Sequence, residues 1–207
     1  KTYLAELKGI VPITFWPYSE VGSNGSARAE IKDVFPDYET PFETPKPLDL
    51  VERVVLIATS PESIVLDPFA GSGTTGHAVM ARNKADGGSR RFVMLECEDY
   101  ADEVTAERMR RVIAGVSGMK DPRFSEGFPG AGFVFAGLGA PIDATALLSD
   151  ETPSRDDVAR FVLHSASGAS VSSIPGENET GFIGEILGKR YHLIYRPDPE
   201  FLRSNAS

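Results

Sequence analysis

Basic charge is scarce in this sequence. Its 21 Lys and Arg stand against 30 Asp and Glu, a formal net charge of −9 over 207 residues. Phosphate contacts dominate nucleic-acid affinity, so a module that grips DNA unaided carries the opposite balance. The acidity speaks against this chain holding DNA alone, not against membership of a larger DNA-binding protein. Cysteine is nearly missing too. Cys97 stands alone, which excludes an internal disulfide framework and fits a reducing, cytoplasmic compartment. No apolar run approaches the roughly 18 residues of a membrane span, and no basic-then-apolar leader opens the chain; no membrane partner is expected. The three histidines, His77, His164 and His192, are far apart in sequence and lack metal-ligand spacing, so no metal site is expected. Met is missing from the first position, and the chain ends at RPDPEFLRSNAS without a closing element. It reads as part of a longer protein.

What is present is an ordinary globular mixture, 41% hydrophobic and 25% charged, enough for one domain or a domain with an appendage. Residues 1–44 are rich in Gly, Pro, Ser and aromatics. The Gly/Ser-dense stretch Ser19–Ser26 reads as loop and Ala27–Phe35 as a short helix. FWPYSE (Phe15–Glu20) reads as buried packing rather than a base-stacking surface. FPDYETPFETPKP (Phe35–Pro47) is expected to be extended and irregular.

Residues 45–115 read as a packed α/β unit. The apolar spacing predicts a helix over Leu48–Ala58, opened by a proline. Ser63–Asp67 is a short apolar run of the kind that forms a fully buried parallel strand. Thr75–Asn83 reads as a helix, Lys84–Ser89 as a turn, and Arg91–Glu96 as a second buried strand. Asp99–Ile113 reads as an amphipathic helix. Its basic cluster Arg108, Arg110 and Arg111, set among Glu103 and Glu107, reads as a solvated face. Helix, strand, helix, strand, helix in this order implies a crossover and a parallel sheet. Residues 116–140 form a Gly-rich connection with one candidate strand, Gly132–Ala136. Residues 141–207 read as an α+β extension with a helix over Asp156–Ser165 and a strand over Tyr191–Tyr195.

The chemistry concentrates in VLDPFAGSGTT (Val65–Thr75). A strand ends at Asp67, turns through Gly71, Ser72 and Gly73, and opens a helix. Glycines let the backbone approach a ligand, and a helix start offers unpaired N–H groups with a partial positive charge. Asp67 can take an ammonium group, and a ligand carrying both ammonium and carboxylate is S-adenosylmethionine. Glu96 closes the next strand, where an acidic residue in nucleotide-binding α/β folds holds the ribose hydroxyls. Cys97 follows it and is placed to lie against an adenine ring. Taken singly, the glycines serve a tight turn equally well, and Glu96 a solvated strand end. Taken together, they point to a nucleotide-type site. Ser72 is not in a nucleophile elbow, since GSG is not GxSxG.

DPFAGSGTT resembles the cofactor motif of the DNA amino-methyltransferases, which act on adenine N6 or cytosine N4. TPKPLDLVERVV (Thr44–Val55) resembles the segment that precedes this motif in the permuted, or β, class. NKADGGSRRFVMLECEDYADEVTAERMRRVI (Asn83–Ile113), Glu20–Phe35 and Tyr191–Leu202 are similar to the modification subunits of type III restriction–modification systems. The resemblance implies a partial Rossmann-like methyltransferase sheet with an α+β C-terminal extension. Residues 1–44 would then be the end of a target-recognition or linker region. It implies S-adenosylmethionine as cofactor and adenine N6 of double-stranded DNA as target. It further implies partnership with a restriction subunit and self-association. Asp67 and the turn Phe69, Ala70, Gly71, Ser72, Gly73, with Thr74, would hold the methionine end. Lys46 would meet its carboxylate, and Glu96 and Cys97 would hold the nucleoside.

The sequence departs from the family in one respect. The Asp-Pro-Pro-Tyr type of motif, which engages the target amine and stacks on the flipped base, is absent. In the permuted order it belongs upstream of residue 1. No catalytic residue is therefore assigned, the sheet is expected to lack strands and expose an edge that favours association, and the chain is expected to be inactive alone. A part of an N4-cytosine or RNA methyltransferase, and a non-catalytic nucleotide-binding module, remain as alternatives.

Overall fold

A computed structural model of the chain describes residues 13–139, 142, 152–168, 171, 173–176, 178–196 and 198. The KTYLAEL start and the end of the RPDPEF string lie outside the described residues. The chain divides between Phe135 and Ala136 into two compact units. The architecture is mixed α/β, with two small sheets among the described residues.

The first unit opens with a single-turn helix α1 (Tyr18–Val21) and α2 (Asn24–Val34). Helix α2 starts three residues before the expected position. Ser23 caps it and Ser26 returns a hydrogen bond to the Ser23 backbone, a reciprocal box that turns the Gly/Ser-dense loop into a helix start. The FWPYSE expectation is corrected here. Phe15 and Tyr18 are exposed, Trp16 and Pro17 are only half-buried, and Trp16 lies beneath the Arg53 guanidinium. Helix α3 (Leu48–Ala58) has the expected bounds. Pro47 gives it no side-chain cap; instead the Glu30 carboxylate on α2 accepts the Leu48 N–H at 3.0 Å.

Strand β1 (Ile64–Asp67), α4 (Thr74–Asp86) and β2 (Arg91–Met94) form a parallel unit with Asp67 paired to Met94. Helix α4 runs three residues into the expected Lys84–Ser89 turn and stops at Gly87, whose φ of 70° closes it. Helix α3 packs on α4. Val65, Phe92 and Met94 line the covered face of the sheet and join the core of Ile31, Leu48, Val55, Val79, Met109, Val112, Phe124 and Phe128. The other face is bare. Ile64, Leu66, Val93 and Leu95 are 46–62% exposed, so the expectation of fully buried strands fails. Their alternation places every second apolar side chain on a face that no described residue covers.

The segment after β2 is wound three ways: a 3₁₀ turn (Asp99–Ala101), a π turn (Asp102–Ala106) and α5 (Glu107–Ala114). A short helix α6 (Pro122–Ser125) follows in the Gly-rich connection and buries Phe124. The expected strand Gly132–Ala136 does not form. The stretch has no pairing partner, and Val134 is exposed.

The second unit contains α7 (Arg155–Ser167), capped by Ser154 and two residues longer at its end than expected. It also contains the antiparallel hairpin β3 (Phe182–Ile186) and β4 (Lys189–His192). The expected strand Tyr191–Tyr195 is shifted toward the hairpin turn. That turn is Leu187–Gly188, both with positive φ (51° and 75°), the geometry that matches strand twist in two-residue hairpins. Ala159, Leu163 and Ile183 form this unit's small core. The Tyr195 hydroxyl donates to the buried Pro153 carbonyl at 2.7 Å.

Candidate functional site

The site sits where β1 ends, at the seam between the two parallel strands. Hydrogen bonds from Leu95 N to Asp67 O (2.9 Å) and from Ala70 N to Leu95 O (2.9 Å) stitch the turn onto the end of β2. Gly73 N donates to Ala70 O at 2.8 Å, tightening it further. Gly71 (φ 51°) and Gly73 (φ 76°) are left-handed, a conformation costly for any residue with a Cβ. Their missing Cβ atoms face protein. A Cβ on Gly71 would stand 3.2 Å from the Phe42 ring, and one on Gly73 3.1 Å from the Thr105 carbonyl. The glycines are therefore accounted for by backbone conformation and packing, which corrects the expectation that they clear space for a ligand.

Asp67 and Glu96 stand at the two strand ends. Asp67 accepts the Phe69 N–H on Oδ1 at 3.1 Å and the Thr75 hydroxyl on Oδ2 at 2.5 Å, so it braces the turn from below. Glu96 accepts the Gly71 N–H on Oε2 at 2.8 Å. Its Oε1 accepts from Cys97 N (2.9 Å) and Glu98 N (3.2 Å). Partial desolvation pushes the Glu96 pKa up, but the N–H bonds from Glu98, Gly71 and Cys97 outweigh it and hold the carboxyl below its ordinary value. Each Asp67 oxygen keeps a further lone pair for a ligand, whereas Glu96 Oε1 already accepts two N–H groups.

Helix α4 opens at Gly73 with no side-chain cap, so its first-turn N–H groups have no side-chain acceptor. Ala70, Ser72 and Thr74 are buried, whereas Phe69 and Cys97 are exposed. Lys46 approaches through its backbone, its carbonyl accepting the Thr74 hydroxyl at 3.3 Å, while its side chain is in solvent. The turn, Asp67, Glu96 and Cys97 thus come together, and Lys46 borders them.

Four residues at the site escaped the sequence reading. Phe42 lies over Gly71 and meets Tyr100 edge-on at 5.3 Å; Tyr100 in turn hydrogen-bonds Glu96. Thr105 donates to the Gly71 carbonyl at 2.6 Å. Arg108, read as solvated, is 1% exposed and donates to the Ser72 carbonyl, the Ser72 hydroxyl and the Thr74 hydroxyl at 3.3, 3.2 and 2.8 Å. The available signal was spacing. Thr105, Arg108, Met109 and Val112 share one helix face, and the latter two are core residues. Arg110 and Arg111 do lie outside, paired with Asp102 and with Asp37 and Glu107. His77 is fully buried, edge-on to Phe124 and Phe128. Among the described residues no three His, Cys, Asp or Glu side chains gather as a metal site, and no helix is long and apolar enough to cross a membrane.

Comparison with known proteins follows the same residues. Over 128 residues, 55% of this chain, it is 37% identical to the type III restriction-modification enzyme StyLTI Mod subunit of Salmonella typhimurium, covering 19% of that protein. It is 37% identical over 100 residues to the EcoPI Mod subunit of Escherichia phage P1, 48% of this chain and 15% of that one. It is 32% identical over 93 residues to the DNA adenine methyltransferase YhdJ of Escherichia coli, 40% of this chain and 29% of that one. The matched stretches thus span less than a third of these relatives' lengths. The N6/N4 family profile described as DNA methylase matches residues 5–107, the segment that holds β1, the turn, β2 and Glu96. Residues 5–107 of this chain thus carry an N6/N4 DNA methylase domain.

Proposed function

We propose that this chain supplies the methyl-donor pocket of a site-specific DNA methyltransferase acting on adenine N6. One observation carries the reading: a left-handed glycine turn opens an uncapped helix between two strand-end carboxylates, Asp67 and Glu96, inside the DNA methylase segment.

The residues suit S-adenosylmethionine. The first-turn N–H groups of α4 suit its carboxylate, with Lys46 at the rim; Asp67 suits its ammonium group; Glu96 suits the ribose hydroxyls. Phe69 and Cys97 offer exposed surface for the adenine. When bound, the cofactor supplies an electrophilic methyl group; the chain's own part is to hold and orient it. The parallel β1–β2 pair then forms part of a Rossmann-like sheet. Methyl transfer needs a target-binding motif of the Asp-Pro-Pro-Tyr kind, which these 207 residues do not contain. The relatives named as Mod subunits of type III restriction-modification enzymes support a restriction subunit as partner; double-stranded DNA as substrate, self-association and work in the cytoplasm belong to the same proposal.

Calorimetry on the full chain tests the pocket. S-adenosylmethionine is expected to bind and NAD is not, with binding lost in Asp67→Ala and Glu96→Ala. Binding of NAD alone would overturn the reading. Product analysis after methylation of defined DNA by the full-length protein tests the target, with N6-methyladenine expected and N4-methylcytosine refuting it.

A further inference from the structure

A buried arginine is costly unless its charge is used or answered. Arg108 spends its hydrogen bonds on the turn and on His77, whose Nδ1 lies 3.5 Å from its Nη2, and its Nε has no partner. His77 does not share the charge. Burial, aided by Arg108, pushes its pKa down to about 3, and it is neutral at pH 7. Desolvation lowers Arg108 only to about 10, so it remains a cation. The opposing charge that acts on it is Glu30, whose carboxylate is engaged by the Leu48 N–H and whose own pKa burial raises. Among the described residues no carboxylate forms an ion pair with Arg108. A cation thus lies directly beneath Ser72 and Thr74, at the positive end of α4, with its charge incompletely answered by protein.

We infer that Arg108 is a positioning residue whose buried charge, set under the Ser72–Thr74 turn, makes this site select a ligand bearing a carboxylate at the start of α4. The inference rests on the methyl-donor reading and adds a determinant to it. Arg108 does not touch the ligand. It acts through the turn that it holds and through its field, which is little screened in the interior.

The test compares two probes that differ in the carboxylate alone, S-adenosylmethionine and decarboxylated S-adenosylmethionine, by calorimetry on the full chain. Wild type is expected to prefer the carboxylate-bearing probe. In R108M the affinity for S-adenosylmethionine is expected to fall at least about tenfold, while the decarboxylated probe, now relieved of a like charge, binds as well or better. R108K keeps the charge and is expected to keep most of the preference. Should R108M fail to fold, R108Q decides the matter by the same ratio, because it retains donors for Ser72 and Thr74 without the charge. Equal losses for both probes would mean that Arg108 only braces the turn, and would overturn the inference, as would an unchanged preference. If wild type binds neither probe, the methyl-donor reading itself fails, an outcome distinct from either of these.

Discussion

Replacing Gly73 by alanine separates backbone conformation from crowding, because the same helix carries its own control. Gly73 and Gly87 flank α4 with nearly the same backbone angles, φ 76° and ψ 23° against φ 70° and ψ 16°. A Cβ on Gly87 would meet nothing within 4 Å, whereas one on Gly73 would stand 3.1 Å from the Thr105 carbonyl and 3.3 Å from Met109 Cε. The left-handed conformation costs an alanine about 1–2 kcal/mol, of which roughly 0.4–1 kcal/mol returns through the stiffer unfolded chain. Gly87→Ala is therefore expected to lose about 1 kcal/mol. At Gly73 the methionine end can swing away but a backbone carbonyl cannot, and overpacking of this kind adds about 1–3 kcal/mol. Urea unfolding, followed through the fluorescence of the single tryptophan Trp16 in the same unit, reads both variants directly. Equal losses at the two positions would refute the claim that Thr105 is packed against the turn.

Three further outcomes are expected. Glu96→Gln keeps the shape but not the acceptor capacity for three N–H groups, so S-adenosylmethionine affinity should fall at least about tenfold; unchanged affinity in a titration would exclude Glu96 from the site. His77 is protonated below 6.5 when unfolded but only below about 3 when folded. Between those values the unfolded chain binds the extra proton. Its contribution to stability is full above pH 6.5 and is lost as pH falls toward 3, with a slope of up to about 1.4 kcal/mol per pH unit. Urea titrations across that range should show the slope in wild type and one proton less of it in His77→Gln; an identical slope in the two proteins would sink the assignment. Tyr195→Phe leaves the Pro153 carbonyl buried without its donor and should destabilise the second unit by about 1–3 kcal/mol, measured by hydrogen exchange in α7.

Local chemistry was legible in the sequence, and long-range contact was not. The bounds of α3, the strand–turn–helix order and the carboxylates at the strand ends follow from apolar spacing, proline and glycine, which act within a few residues. Thr105 and Arg108 reach the turn from more than thirty residues away, and charge composition alone grouped Arg108 with its exposed neighbours. Glu30 caps α3 in place of a local side chain, a partnership that no window along the chain displays. Strand β3 was missed because a glycine interrupts it at Gly184 and its turn uses Leu187 where Asn or Asp would have signalled it. The bare face of β1 and β2 was read as buried because an unbroken apolar run looks the same whether one side or both are covered.

The π turn at Asp102–Ala106 carries one residue more per turn than an α-helix would. That surplus sets the phase of everything after it. Winding the same residues as regular α-helix, with none removed, would rotate α5 by about 100° about its axis. Arg108 would then leave its place beneath Ser72, and Met109 and Val112 would leave the core, although no residue of the turn itself had changed. The winding of this short stretch is thus a constraint in its own right. A substitution that leaves the π winding in place can be absorbed, but one that tightens it to α-helical winding shifts the register of the support under the turn.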